Sequence, residues 1–167
     1  VDNVDIPAAT AKGVIVMNTP FGNSITTAEH AIAMMFAIAR EIPAADLSTQ
    51  AGKWEKKKFM GNELRGKTLG IVGLGSIGRE VVRRARAFEM RIVASDPFVN
   101  SVTASELGVR LVSLDELYTS SDYITLHVAL TVETQGMIND TSIAKMKDHV
   151  RIVNCARGEL IDGEALR

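Results

Sequence analysis

Leu69-Gly70-Ile71-Val72-Gly73-Leu74-Gly75-Ser76-Ile77-Gly78-Arg79 joins an apolar run to three glycines in the pattern G-x-G-x-x-G, and a helical pattern begins near Ile77. Each glycine has its own task. Gly73 permits a tight turn out of the strand. Gly75, without a side chain, lets a pyrophosphate approach the backbone. Gly78 lets the helix pack closely on the strand. Exposed amides and the positive end of the helix dipole favour phosphate at such a turn. An acidic residue, Asp96, ends the next strand candidate, 18 positions after Gly78. Its carboxylate suits ribose hydroxyls and would repel a 2′-phosphate, which favours NAD over NADP. Flavin and S-adenosylmethionine enzymes use similar turns, so the glycines alone do not choose among nucleotides. The competing reading of Asp96 is a cap before Pro97.

Outward from this turn, strands and helices alternate. The pattern predicts strands over 69–72, 91–95, 109–112, 123–126 and 150–154. It predicts helices over 80–88, 102–107, 114–120 and 141–146. The strand runs are apolar and largely unbroken, as in strands covered on both faces. The expectation is therefore an α/β fold, a doubly wound parallel sheet of Rossmann type with right-handed crossovers. Upstream, Val14-Ile15-Val16-Met17 reads as a short strand, Asn18-Thr19-Pro20 as a turn and Phe21-Gly22-Asn23-Ser24 as loop. A helix is expected from Thr26, with Glu29 three residues on as in a capping box, and Pro43 is expected to end or bend it. Its Ala and Met content points to close packing on another helix or subunit. Residues 51–66 read as a polar connection. The Lys56-Lys57-Lys58 run is a solvated surface, and Trp54 is either a subunit anchor or the cap of a local cluster.

Ligands of open α/β sheets lie at the carboxyl ends of the strands. Two segments fall there. Leu126-His127-Val128-Ala129-Leu130-Thr131 follows one strand, and Val128 and Thr134 are candidates to touch a cofactor. His127 has no recognisable carboxylate partner, so a structural or cofactor-facing role is expected of it rather than general-base work. Asn154-Cys155-Ala156-Arg157-Gly158 follows the last strand. Arg157 there suits bidentate binding of a substrate carboxylate, and its alternative is a plain loop arginine. Cys155 reads as a small wall residue, not a nucleophile.

The bulk properties exclude other classes. A formal net charge of -1 over 167 residues argues against a nucleic-acid binder with a basic face. The apolar stretch from Ile32 to Ala39 meets Arg40 and Glu41 too soon to span a membrane. The single cysteine, Cys155, forbids an internal disulfide and fits a reducing, cytoplasmic setting. No metal site is expected. The opening Val1-Asp2-Asn3 has no initiating Met, basic start or apolar run, so the chain reads as a piece of a longer one.

Four stretches together resemble the D-2-hydroxyacid dehydrogenase family: Asn18-Thr19-Pro20, Leu69 through Arg79, His127-Val128-Ala129-Leu130-Thr131, and Val153-Asn154-Cys155-Ala156-Arg157-Gly158-Glu159-Leu160-Ile161-Asp162. Val1-Asp2-Asn3-Val4-Asp5, Gly22-Asn23-Ser24 and Gly52-Lys53-Trp54 through Gly61 resemble the branch that oxidises 3-phosphoglycerate. The resemblance implies that 1–20 is a remnant of the substrate domain and hinge. It makes 21–167 a truncated NAD-binding domain, short of its last strands. By the same resemblance Gly73, Gly75, Ser76, Ile77 and Gly78 serve the pyrophosphate and Asp96 the adenosine ribose. Val128, Cys155 and Ala156 lie along the cofactor, and Arg157 takes the substrate's carboxylate and carbonyl. Ser76 stands where many members carry arginine, and Ala129 where proline is usual. The family's catalytic histidine and its glutamate fall beyond Arg167. The 26–42 helix and the Trp54 segment resemble dimer contacts, implying a homodimer or homotetramer. Competing readings are an NAD-sensing corepressor of the same fold, a glycerate, glyoxylate, lactate or formate dehydrogenase, and a methyltransferase with a similar turn.

Overall fold

The computed structural model describes residues 3–19 and 21–167. Five parallel strands form one sheet: β1 (Thr68–Val72), β2 (Arg91–Ser95), β3 (Arg110–Leu111), β4 (Tyr123–Leu126) and β5 (Arg151–Asn154). Their order is β3-β2-β1-β4-β5. The chain enters the sheet at its centre, winds outward to β3, then returns to lay β4 on the other side of β1. This is the doubly wound order that the alternating pattern implies. Its reversal opens a crevice between β1 and β4 at their carboxyl ends. The register pairs Val72 with both Ser95 and Leu126, and Leu126 with Asn154, so the strands end level with one another. Four turns therefore leave the sheet at a common edge.

Helices cover both faces. On one lie α2 (Ser24–Ala39) and α4 (Ser76–Ala87), joined to the sheet through Ala28, Ala31, Met35, Val81, Ala85, Leu69 and Ile71. Small residues let these helices approach, and Phe36 meets Phe88 edge-on with ring centroids 4.9 Å apart. On the other face α6 (Leu114–Ser120) and the short α7 (Asp140–Ile143) enclose Leu117, Tyr118, Ile124, Leu126 and Ile138. Both start on side-chain caps: Ser113 accepts from the Glu116 amide, and Asn139 and Ser142 form a reciprocal capping box. Helix α5 (Ser101–Glu106) leads into β3.

The amino-terminal part departs from the sequence reading. The stretch from Val14 to Met17 is not a strand. Val14, Ile15 and Met17 are exposed, and no strand among the described residues pairs with them to supply the hydrogen bonds that a β-branched run needs. A helix the sequence reading missed, α1 (Ile6–Ala11), precedes it, capped by the Asp5 carboxylate on the Ala8 amide. Val1 and Asp2, and Pro20 of the expected turn, lie outside the described residues. Helix α2 begins at Ser24, two residues before Thr26, and the expected capping box does not form. Glu29 instead pairs with Arg84 of α4 at 3.0 Å. Pro43 does not end that helix. The break comes earlier, where Glu41 adopts a left-handed φ of 54°, and Pro43 sits in the first turn of α3 (Ile42–Gln50). Its missing amide costs nothing there.

Gly70 lies in β1 directly beneath α6. A methyl group at this position would lie 2.7 Å from Leu117 Cδ2 and run into the Ser121 hydroxyl. Gly70→Ala is expected to destabilise the domain by about 1–3 kcal/mol through overpacking, read as a lower urea midpoint at unchanged slope.

Candidate functional site at the carboxyl edge

The glycine turn forms where β1 ends. Gly73 has φ 94°, and its amide donates to the Ser95 carbonyl at 3.0 Å, carrying the ladder one residue past the strand. A Cβ on Gly73 would lie 2.6 Å from the His127 carbonyl oxygen. One on Gly78 would strike the Gly73 carbonyl. One on Gly75 would meet nothing within 4 Å. Two of the glycines thus let backbone meet backbone, and the third leaves open space. Helix α4 starts at this space with Gly75 as its N-cap and no side-chain cap. The amide end of the helix, opened by Ser76, Ile77 and Gly78, is aimed where an anion would be favoured.

Asp96 follows β2, level with Gly73. One carboxylate oxygen accepts from the Leu74 amide at 2.7 Å and the other from Phe98 N at 2.8 Å. The capping reading of Asp96 is therefore correct as far as it goes. The same carboxylate also reaches across 22 residues to hold the middle of the glycine turn.

A cleft of about 530 Å³ opens here. Its lining includes Gly73, Gly75, Asp96, Val128 and Thr134, five of the expected cofactor residues. Pro97, Phe98, Thr131 and Glu133, which the sequence reading did not single out, share its walls with His127 and Ala129. The Phe98 ring is 95% exposed, an apolar side chain with no partner in the core. Thr134 braces the wall: its hydroxyl donates to the Ala129 carbonyl at 2.7 Å and accepts from the Thr131 amide at 2.8 Å. This brace holds the turn that carries Ala129.

His127 stands at the back of the cleft. Its Nε2 lies 2.9 Å from the hydroxyl of the wholly buried Thr125, and its Nδ1 is buried with no partner. Burial pushes the imidazole down to about 4, so it is neutral at physiological pH. Among the described residues no carboxylate is hydrogen-bonded to its ring.

Beyond β5, Asn154 shapes the second turn. Its amide nitrogen donates to the Arg157 carbonyl at 2.7 Å and its oxygen accepts from the Ala156 amide at 3.0 Å. The sequence reading passed over Asn154, although an asparagine closing a strand is a recognisable turn-former. Cys155 packs against the α2–α4 side of the core, and burial raises its thiol above the ordinary range. Ala156 and Val128 pack on the opposite cluster. Arg157 is exposed at this edge and donates from Nη1 to the Ala156 carbonyl at 3.2 Å. Cys155, Ala156 and Arg157 share the edge but do not line the cleft beside Asp96. The segment after Arg157 is tied down by a 3-10 turn over Gly158–Leu160 and by a parallel bridge between Ile138 and Ile161.

Comparison with known proteins agrees with this arrangement. The family model described as D-isomer specific 2-hydroxyacid dehydrogenase, NAD binding domain, matches residues 32–167. A D-3-phosphoglycerate dehydrogenase of Archaeoglobus fulgidus is 57% identical over 99% of this chain and 32% of its own length. That of Rattus norvegicus is 52% identical over 99% of this chain and 31% of its own. The chain thus spans about a third of the curated relatives it matches. Among solved structures, the apo D-lactate dehydrogenase from Escherichia coli superposes with a TM-score of 0.92 at 38% identity, covering 99% of this chain and 52% of that one. A D-lactate dehydrogenase from Aquifex aeolicus complexed with NAD and lactic acid gives 0.87 at 35% identity, covering 99% and 50%. The chain therefore belongs to the D-isomer specific 2-hydroxyacid dehydrogenase family, of which it carries the NAD-binding domain.

Proposed function

We propose that this chain is the cofactor domain of a D-3-phosphoglycerate dehydrogenase, which oxidises 3-phosphoglycerate to 3-phosphohydroxypyruvate with NAD on the way to L-serine. The observation that carries this reading is the 57% identity, spread over 99% of the chain, to a relative of that name. The solved lactate dehydrogenases share the fold at lower identity, 38% and 35%. They keep another small 2-hydroxy acid as the second reading, which a substrate panel on the full-length enzyme decides.

The residues present fit NAD. The open space at Gly75, the close backbone approach at Gly73 and Gly78, and the uncapped start of α4 make a cradle for a pyrophosphate. Ser76 and Ile77 would hold it through backbone amides. Asp96 would accept from the adenosine ribose with the lone pairs left over from Leu74 and Phe98. Val128, Thr134, Cys155 and Ala156 would border the rest of the dinucleotide. When bound, NAD supplies the hydride acceptor. Arg157 is assigned to the substrate's carboxylate, fixing the carbon that loses hydride. The neutral imidazole of His127 moves no proton at working pH. The proton-accepting histidine and its glutamate are assigned to the two thirds of such an enzyme that this chain does not span. A homodimer or homotetramer in the cytoplasm completes the reading. Trp54, 85% exposed, and the exposed apolar residues Ile25, Met34, Ile38 and Leu47 on α2 and α3 support a subunit contact.

Three outcomes test this. The purified chain is expected to bind NAD in a calorimetric titration and to form no NADH from 3-phosphoglycerate; turnover by the chain alone would sink the division of labour. Asp96→Ala is expected to weaken NAD binding about tenfold or more, the value of hydrogen bonds to a charged acceptor, and to narrow the preference over NADP. The His127 imidazole is expected to titrate near 4 by NMR. A depressed native value means that protonation favours the unfolded chain, so this contribution is intact above pH 6.5 and is lost as pH falls toward 4. The loss amounts to at most about 3 kcal/mol, read as a falling urea midpoint that His127→Gln flattens.

A further inference from the structure

Helix α4 carries four arginines, and they are not treated alike. Arg84 is neutralised twice, by Glu80 at 2.6 Å and by Glu29 of α2 at 3.0 Å. Arg79, Arg83 and Arg86 lie at the spacing i, i+4, i+7 that stacks side chains along one side of a helix. All three border a groove of about 320 Å³ between α4 and the end of α5. Val82 and Leu107 are its apolar lining, and Glu106 is its one carboxylate.

Two of the three guanidiniums are fixed without being neutralised. Arg79 Nε donates to the Leu74 carbonyl at 2.9 Å, and Arg86 Nη1 donates to the Leu107 carbonyl at 3.0 Å. Gly108 makes room for the second arrangement. A Cβ there would lie 2.7 Å from Arg86 Nη1, so the guanidinium rests on bare backbone. Among the described residues no carboxylate pairs with either arginine. Each of these bonds uses one N–H of the several that a guanidinium carries, and the rest of the fork can still donate. Arg83 has an exposed pair with Glu80, a carboxylate already committed to Arg84. Exposed pairs of this kind are worth little.

Like charges on one side of a helix repel. A solvated arginine relieves the repulsion by swinging away on its flexible stem. Carbonyls hold Arg79 and Arg86 in place instead, so the positive field over the groove persists. A fixed field of one sign over a concave surface complements an occupant of the other sign. The spacing sets the length of that occupant. From Arg79 to Arg86 the helix rises about 10 Å, beyond the reach of one phosphate or carboxylate. An extended chain advances about 3.3 Å per residue, so a run of about four acidic residues covers the same distance.

We propose that the groove between α4 and α5 docks an extended acidic segment of a partner protein, with its carboxylates on Arg79, Arg83 and Arg86. The groove shares no lining residue with the cleft beside Asp96 and does not depend on the functional reading above. Glu106 pairs with no cation among the described residues and weakens the hold on such a segment.

The test is the fluorescence anisotropy of labelled hexaglutamate titrated with the protein, with and without NAD, beside labelled hexaserine. Saturable binding of hexaglutamate and none of hexaserine is expected, weakening as salt rises and persisting in NAD. Arg79→Gln and Arg86→Gln are each expected to weaken it about tenfold, the loss of a charge-assisted hydrogen bond. Glu106→Gln is expected to strengthen it about threefold, the scale of an exposed charge interaction. Glu106 is exposed and takes part in no bond described above, so this variant tests the site even where an arginine variant fails to fold. Lys57→Gln, in the chain's other basic run, is expected to change nothing. The proposal is overturned if hexaglutamate does not bind saturably, or if Glu106→Gln and the folded arginine variants bind it as the parent does. It is equally overturned if Lys57→Gln carries the loss, if NAD displaces the peptide, or if glutarate displaces it as effectively as unlabelled hexaglutamate, which makes the groove a small-anion site.

Discussion

The peptide at Gly73 is pressed from two sides, by the His127 carbonyl at the end of β4 and by the Cα of Gly78 in α4. Much of the domain follows from this crowding. Three elements meet with no side chain between them, so the angle at which α4 leaves β1 is set by backbone contact. Helix α4 then covers one face of the sheet and receives α2 through alanines. The same closeness holds β1 and β4 together at the switch point, where the chain reverses its winding. The cleft beside Asp96 is the space left when two glycines are used for contact and the third, Gly75, is used for nothing but room.

What was legible from sequence is what local chemistry decides. The limits of β2, α6 and β4 can be read from their residues because apolar runs, Ser113 as a cap and the turns between them all agree. The glycine turn and Asp96 were legible for the same reason. Val14 to Met17 was misread because β-branched residues make a strand only beside another strand, and none among the described residues pairs with them. Glu29 was misread because its partner, Arg84, is 55 residues away. Phe98 joins the cleft only through the fold of the chain after Asp96, and no periodicity marks it.

The two turns at the carboxyl edge are built alike although their residues differ. Thr134 ties the connection after β4 to itself, and Asn154 does so after β5, each with one side chain that both donates and accepts. Side-chain bonds of this kind replace the ladder where strands end, and they let loops that face a ligand stay ordered without burying apolar surface. Arg157 is presented by such a loop, so its backbone is placed by Asn154 while its guanidinium remains at the surface.

The Asp96 carboxylate already grips the Leu74 amide in the structure described here. A nucleotide arriving at this turn therefore does not have to order it: the conformational entropy of the loop is given up when the domain folds. Association is relieved of that cost, and the affinity reflects new contacts more fully than it would at a mobile loop. Under the proposed ribose-binding role of Asp96, folding stability and nucleotide affinity share one side chain, so selection on either quantity acts on both.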